Sequence, residues 1–422
     1  MYDVIIVGAG ASGCFLALTL KYKNPNLKVA LIEKNDKLGK KLLITGNGRC
    51  NLGNTNITID NYNSSSSLNN FISQLKENGY LNYLKNFGIL TKKEDTSTRL
   101  YPYSNQAITV CKSFERALEK EKVNVIYNYD VKDVAYKNDC FVINNNLRGK
   151  KVVIATGGKT YPKTGSTGMG YNILKSFGHT ITKLYPSLTY LKTNYKYIKD
   201  LQGVRADVVA KLNVNDKTIL TEKGQIQFTK DSLSGICIFN LSRYVNKYLE
   251  KNKKVDVVVD LVPDYDESYI NNYLKEFDSY NVSDAISCIL NKKVADVITK
   301  NLKLSNKTIC DINKKELENI SYTLKNMHFN ITATGDFETS QVTSGGALLS
   351  EFTNHLESKK ISGLYASGEV LDVDGICGGY NLSWAFTSAL IVAEGILKDN
   401  LKWIIGLSFF LFNNLNNSII KL

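Results

Sequence analysis

Residues 1–33 read MYDVIIVGAGASGCFLALTLKYKNPNLKVALIE, and this stretch decides the fold. Asp3-Val4-Ile5-Ile6-Val7 has the composition of a short buried strand. Gly8-Ala9-Gly10-Ala11-Ser12-Gly13 follows at once, then a helical segment over Cys14–Lys23 and a second strand, Lys28–Ile32, that ends on Glu33. This is a GxGxxG turn inside a βαβ unit, with an acidic residue twenty positions after the last glycine. Gly8 allows the tight turn, Gly10 lets the backbone approach a pyrophosphate, and Gly13 brings helix and strand together. The helix start offers unpaired N–H groups to phosphates. Glu33 can accept hydrogen bonds from a ribose diol, and its charge repels a 2′-phosphate. The stretch predicts a dinucleotide-binding unit.

Outward from it, Thr45-Gly46-Asn47-Gly48-Arg49-Cys50-Asn51 predicts a tight loop. Asp60–Asn70 (DNYNSSSSLNN) reads as an exposed polar excursion. Helical spacing covers Phe71–Phe87, Thr98–Pro102 reads as a turn, and a helix over about Ala107–Lys120 follows. Strands are expected at Val123–Tyr127, Val131–Tyr136 and Cys140–Ile143. Lys151-Val152-Val153-Ile154-Ala155-Thr156-Gly157-Gly158 is another buried strand breaking into glycines, and Thr164–Gly170 opens a helix. From Pro186 the character changes. Val208–Val214, Lys217–Thr221 and Gln225–Thr229 alternate as an antiparallel β unit does, Val255–Leu261 and His328–Thr334 add strands, and 264–322 is helix-patterned. Gly363–Glu369 is a last strand ending in glycine, and Gly378-Gly379-Tyr380-Asn381 leads into a helix over about Leu382–Leu397.

The expected organisation is therefore discontinuous: an α/β dinucleotide domain from 1–190 and 340–400, and an insert over 191–339 with a helical subdomain at about 264–322. The tail 401–422 holds an apolar run of ten residues, Trp403–Phe412. A bilayer-spanning helix takes about twenty, so no transmembrane segment is expected, and packing or fraying is favoured over shallow membrane association. The first strand begins at Asp3, which leaves no room for a secretory signal. Eight scattered cysteines without a CxxC pair point to reduced thiols in a cytoplasm and away from a flavin–disulfide reductase. The net charge of +13 rests on dispersed Lys, with only six Arg. A solvated basic surface is favoured over a nucleic-acid partner. The three His show no ligand spacing, so no metal site is expected.

One Rossmann fingerprint with further glycine-rich strand ends at 156–158 and 368–369 favours FAD over NAD, since one long cofactor can touch all of them at the carboxyl edge of a doubly wound sheet. The segments Asp3–Gly13, Thr45–Asn51, Arg99–Pro102, Ala155–Gly158, Thr164–Tyr171, Leu201–Val204, Leu233–Gly235, Ala366–Asp374 and Gly378–Asn381 occur in the order seen in one family. The chain resembles the BaiN-like (YhiN-like, aminoacetone-oxidase-like) NAD(P)/FAD-dependent oxidoreductases over about residues 1–398. The resemblance implies a Rossmann-type FAD-binding domain of the two-dinucleotide-binding-domain flavoprotein kind, with an inserted β-barrel-like domain carrying a helical subdomain. Met169 departs from it, standing where such proteins often carry Asp.

Carried over residue by residue, the resemblance puts Gly8, Gly10, Ser12 and Gly13 on the FAD pyrophosphate, Glu33 with Lys34 at the adenosine ribose, and the Val131 backbone at adenine. Thr156 and Gly157 support the dinucleotide, and Gly368, Glu369 and Asp372 lie along the ribityl and phosphate side. The backbone of Gly379, Tyr380 and Asn381 faces the isoalloxazine, and Gly46, Arg49 and Cys50 belong to the loop beside it. A retained Arg in a Lys-rich chain suits a need for the planar guanidinium at Arg49, either against the flavin or in a salt bridge that pins the loop. Cys50 and Cys377 read as small thiols rather than redox groups. Tyr380, Tyr161 and Arg49 are the candidate catalytic residues, with His179 a further proton-donor candidate whose place after a helix suits a cap better.

The reading is a cytoplasmic oxidoreductase in which NAD(P)H, bound transiently, reduces FAD, and the flavin passes hydride to a small-molecule acceptor with a conjugated C=C bond. The alternatives are an oxidase of a small amine, an RNA-associated flavoprotein, and a flavin-binding module without turnover.

Overall fold

The computed structural model describes residues 1–398, so the apolar tail 401–422 lies outside the described residues. The chain forms two compact units, one from Met1–Leu184 with the described residues from Val342 on, the other Tyr185–Gln341.

The first unit is built on a mixed sheet. Its centre is β1 (Tyr2–Val7), which pairs in parallel with β2 (Val29–Ile32) on one side and with Leu147–Ile154 on the other. Asn124–Ile126 continues the parallel sheet beyond β2, and Leu364–Ala366 beyond Leu147–Ile154. The amino-terminal half of Leu147–Ile154 turns antiparallel and pairs with Cys140–Ile143, which pairs with Val134–Lys137. Register aligns Ile32, Val7, Ile154 and Ala366 at one level, so the four strands end along a common carboxyl edge. β1 and β2 read as unbroken apolar runs because helices and loops cover both faces of a parallel sheet. The helix α1 (Ala11–Lys23) is buried from Ser12 through Lys21, as an all-round apolar helix must be.

Several local expectations change. Thr98–Pro102 is no simple turn: Arg99–Pro102 is a strand between Gly53–Asn54 and Thr91–Lys93. Helical spacing over Phe71–Phe87 resolves into Ile72–Glu77 and Tyr80–Asn86, broken where Asn78 turns left-handed. Val131 precedes its strand, which starts at Val134. The polar 60–70 segment buries Tyr62 and Leu68, and Tyr62–Asn63 pairs with Asp374–Gly375.

The second unit closes six antiparallel strands into a barrel in the order Leu191–Thr193, Ser232–Ser234, Lys217–Phe228, Arg205–Val214, Val255–Asp260, Met327–Thr334. The two short strands expected at 217–221 and 225–229 are one continuous strand, since Arg205–Val214 pairs along its whole length. Helix Ile236–Leu249 follows the strand Ser232–Ser234. Four helices lie between the last two strands: Glu267–Lys275, Val282–Ser287, Lys292–Leu302 and Lys314–Lys325. Their apolar faces join the barrel interior in one core, with Ile270, Leu274, Ile298, Leu324 and Phe329 fully covered.

Candidate functional site

The candidate site residues gather along the carboxyl edge of the first unit. At the end of β1 the Gly8 backbone is left-handed (φ 107°) and passes so near Ala155 that a Cβ would sit 2.6 Å from its carbonyl oxygen. Gly13 packs tighter still: a Cβ there would lie 1.9 Å from the Gly8 carbonyl oxygen. Gly10 is the opposite case. It caps α1 with no side-chain hydrogen bond, and a Cβ on it would meet no protein atom within 4 Å. Two glycines are thus demanded by packing, while the third faces open space over the free N–H groups of a helix start, a cradle for an anion.

Glu33, buried at the end of β2, does two jobs at once. One carboxylate oxygen accepts from Ala9 N–H at 3.0 Å, inside the glycine loop, and the other from Asn35 N–H at 2.9 Å. Beside it runs the loop 127–133, held to β2's end by Tyr129 N–H on the Glu33 carbonyl and Asn128 N–H on that of Asn35. Asn144 clamps this loop: its side-chain oxygen accepts from Lys132 N–H (2.9 Å) and Asp133 N–H (3.2 Å), and its amide donates to the Asp130 carbonyl (2.8 Å). Val131 lies inside the clamp, buried. Asn144 sits in a turn, and nothing in its sequence context sets it apart.

At the end of Leu147–Ile154, the Thr156 hydroxyl is buried without a hydrogen-bond partner, which leaves it able to bond a group bound at this edge. Gly157 follows in left-handed conformation. At the end of Leu364–Ala366, Ser367 links the Ser12 hydroxyl to that of Ser388, whose oxygen also accepts from Gly368 N–H at 2.9 Å. Ser12 is therefore committed to the fold by its side chain. Glu369 is committed too: Lys41 Nζ lies 2.9 Å from one carboxylate oxygen, and Thr343 N–H donates to the other at 2.9 Å. Lys41 also donates to Thr160 at 2.7 Å. Asp372, buried, accepts from Ser65 N–H at 3.0 Å. Lys34 reaches the Thr167 hydroxyl, with the two atoms 3.4 Å apart. Lys41 and Ser65 carry no sequence signal, because one lies in a Lys-rich run and the other in a serine run.

The loop 45–50 is left-handed at Gly46, Asn47, Gly48 and Cys50, which explains its glycine and asparagine content. Arg49 stacks on the Tyr101 ring (4.2 Å to its centroid), donates to the Tyr101 hydroxyl and pairs with Glu94 at 3.0 Å. The pinning salt bridge is thus present. Cys50 is fully buried, and burial pushes its thiol up to about 12. The buried side-chain oxygen of Asn51 has no hydrogen-bond partner. It lies against the start of the helix over 380–398, where a Cβ on Gly379 would come within 2.6 Å of it.

At that helix start the Tyr380 hydroxyl donates to the Asn56 carbonyl at 3.0 Å, and burial holds its acidity below that of an ordinary phenol. Asn381 grips Gly375 by both amide atoms, at 2.8 and 2.9 Å. Tyr161 stands elsewhere on the edge, left-handed at φ 52° before Pro162. His179 is remote in role: its ring nitrogens meet Glu351 (3.1 Å) and Ser358 (2.7 Å), and it stacks on Phe352. Among the described residues no cluster of His, Cys, Asp and Glu is placed to hold a metal, and no helix is long and apolar enough to cross a membrane.

The model of the HI0933-like protein Rossmann domain matches residues 2–395. The chain belongs to that family. Its fold is accordingly the Rossmann-type FAD-binding fold, here with the barrel and its helices inserted, and the family is one of FAD-dependent oxidoreductases. The chain is 31% identical over 408 residues to the 3-dehydro-bile acid delta(4,6)-reductase of Clostridium scindens, covering 93% of this chain and 98% of that protein. It is 29% identical to the ribosomal RNA dihydrouridine synthase of Haemophilus influenzae and 26% identical to that of Escherichia coli. Each of these matches covers 94% of this chain and 98% of the relative.

Proposed function

We propose that this protein binds FAD along the carboxyl edge and uses it to reduce a carbon–carbon double bond conjugated to a carbonyl in a small organic acceptor, with NAD(P)H as the transient reductant. The observation that carries the reading is the Gly8–Gly13 loop, closed by two packing glycines and open at Gly10 above an uncapped helix start. The orphaned oxygens of Thr156 and Asn51 fit the same cofactor, since each is a buried polar atom awaiting a partner. When bound, FAD supplies two-electron chemistry between the nicotinamide and the acceptor.

The chain's own residues do the rest. Gly8, Gly10 and Gly13, with the first N–H groups of α1, hold the pyrophosphate, and Ser12 acts through its backbone because its hydroxyl is tied to Ser367. Glu33 and Lys34 take the ribose end, and the Val131 peptide presents a donor and an acceptor to adenine. Thr156, Gly157, Gly368 and Asp372 line the middle of the cofactor. Glu369 contributes by fixing Lys41, whose ammonium balances buried negative charge. Gly46, Arg49 and Cys50 wall the ring, and the N–H groups of Gly379, Tyr380 and Asn381 favour negative charge on its pyrimidine side. Tyr161 is the better-placed proton donor of the two tyrosines, because the Tyr380 hydroxyl already donates to Asn56.

The acceptor class is supported by the relatives' names: a delta(4,6)-reductase and a dihydrouridine synthase both saturate a ring double bond conjugated to a carbonyl. A second reading, with a uracil of RNA as acceptor, is supported by the two dihydrouridine synthases and the +13 charge. Anaerobic titration of the purified protein with NADH and NADPH tests the main reading. Rapid bleaching of bound flavin by either is expected, and slow or absent bleaching favours an oxidase or a non-catalytic module. A protein that cannot take up FAD sinks the proposal. Incubation of the reduced enzyme with a steroid dienone or with rRNA, followed by mass spectrometry, separates the two acceptors.

A further inference from the structure

The barrel unit carries a feature none of whose residues is assigned to the cofactor above. Along the start of its helical region the rings of Tyr265, Tyr269, Tyr273, Phe277 and Tyr280 touch in sequence, with centroids 4.4, 6.4, 5.1 and 5.3 Å apart. Tyr265 and Tyr269 lie nearly parallel, at 16°. Helix Glu267–Lys275 buries Ile270 and Leu274 in the core, so its packing is satisfied by its aliphatic residues. The ends of the ladder look outward, with Tyr265 49% exposed, Tyr269 52% and Tyr280 47%, while Tyr273 is half-buried and Phe277 packs against the core. Tyr265 stands before the helix's N-cap, Asp266, so its stacking on Tyr269 serves no helix face, and an exposed aromatic pair of this kind suits an interaction surface.

The charge around it selects the partner. Residues 264–280, DYDESYINNYLKEFDSY, hold five acids and one Lys in a chain of net charge +13. Of the cations beside it, Lys223 lies 3.8 Å from Asp264, and Lys325 bonds Asp260 and the carbonyls of Val262 and Tyr265. Phosphate-bearing partners, whether RNA or lipid, meet repulsion here. A guanidinium is attracted by the acids and stacks on phenol faces.

We propose that this acidic tyrosine ladder is a docking surface for an arginine-rich segment of another protein. The arginines stack over Tyr265 and Tyr269, while Glu267, Glu276 and Asp278 at the rim hold their charge. None of its residues is assigned to the cofactor, so the proposal stands or falls apart from the catalytic reading.

Fluorescence anisotropy of the full-length holoprotein with a labelled ten-residue peptide of alternating Arg and Ser tests it, with the Lys–Ser counterpart and an oligouridine of equal length beside it. Expected is salt-sensitive binding of the Arg peptide, several-fold tighter than the Lys peptide. Tyr265→Ser or Tyr269→Ser should each weaken it about threefold, and the pair about tenfold, with flavin content and unfolding midpoint unchanged. Tyr103→Ser, on the other unit and 69% exposed, should have no effect. Equal binding of Arg and Lys peptides, insensitivity to the tyrosine changes, or tighter oligouridine binding that those changes abolish would each overturn the proposal.

Discussion

Of the helices in the Rossmann unit that start on glycine, α1 and the helix over 380–398 show glycines whose neighbours lie in different places. In the loop before α1, Gly13 is forced by the carbonyl of Gly8, within the same hexapeptide. At the helix over 380–398, Gly379 is forced by the Gly53 carbonyl, 2.3 Å from where its Cβ would stand, and by the Asn51 side chain. Asn54 reaches the adjacent Gly378 carbonyl from 324 positions away. Gly13 has its reason within the hexapeptide, so that part of the first turn is written in one line of sequence, while Gly8 is forced by Ala155 from a distant strand end. The second is completed by a distant loop, and GGYN alone does not say why its glycines are there.

The largest expected effects split the first turn into a folding glycine and a binding glycine. Gly13→Ala drives a methyl into a backbone carbonyl that cannot swing aside, and should cost ~3 kcal/mol in urea unfolding. Gly10→Ala adds the same methyl where no protein atom stands within 4 Å. It should leave unfolding of the apoprotein unchanged yet weaken FAD about a hundredfold, ~2.8 kcal/mol. Wild-type FAD affinity in Gly10→Ala would remove the pyrophosphate from this loop. Wild-type stability in Gly13→Ala would show that the turn relaxes, and the contrast between the two glycines would be lost.

Gly379→Ala puts the same question to the second turn. Its methyl meets the rigid Gly53 carbonyl and the Asn51 side-chain oxygen, and the left-handed backbone there (φ 95°) strains any L side chain, so a loss of ~2–3 kcal/mol is expected. Combining it with Asn51→Ala should recover some of that loss, since the two sites are in contact. Strict additivity would mean that the Asn51 oxygen takes no part.

The contrast between the turns also explains what could be read in advance. The βαβ start, the buried strand ending at Thr156 and the barrel strands announce themselves through periodicity and local glycines. Arg99–Pro102 looked like a turn because Pro102 and the preceding Thr98 are turn-prone, but its strand identity comes from partners at Gly53–Asn54 and Thr91–Lys93. The serine-rich 60–70 segment looked solvated, yet Ser65 N–H meets Asp372 and Asn63 meets Asp374. Lys41 and Asn144 matter through one ion pair and one clamp, and neither leaves a spacing signal. Arg49 was noticed by rarity, and the Glu94 bridge supplies a structural reason for it.

Asn51 offers a sharper test of the second turn. Its buried oxygen has no partner, so Asn51→Leu removes a desolvated acceptor and should leave the apoprotein as stable or up to ~1 kcal/mol more stable. With FAD bound the same change should shift the visible flavin bands and weaken binding about tenfold, ~1.4 kcal/mol. A destabilised apoprotein with an unaltered flavin spectrum would make Asn51 a packing residue and leave the GGYN helix start without its proposed ligand.

The smallest effect concerns pH and lies away from both turns. Burial holds the His179 imidazole below its ordinary value of 6.5, with the Glu351 carboxylate opposing that shift. The folded chain therefore resists taking up a proton that the unfolded chain accepts, and stability falls as pH drops below about 6.5. Glu351 acts in a lower window. Burial opposes its ionisation, but the Thr180 N–H and Lys360 hold its carboxyl at about 2 against 4.5 when unfolded, so that contribution is lost between those values. Urea midpoints from pH 7.5 to 5 should decline in the wild type and flatten in His179→Gln, whatever constant offset the lost Phe352 stacking adds. Because the protonated ring would gain Glu351 as an ion-pair partner at 3.1 Å, the slope should be shallow. An unchanged decline in the Gln variant would assign the acid sensitivity to groups elsewhere, and the His179–Glu351 pair would then be a packing contact whose charge state the fold does not feel.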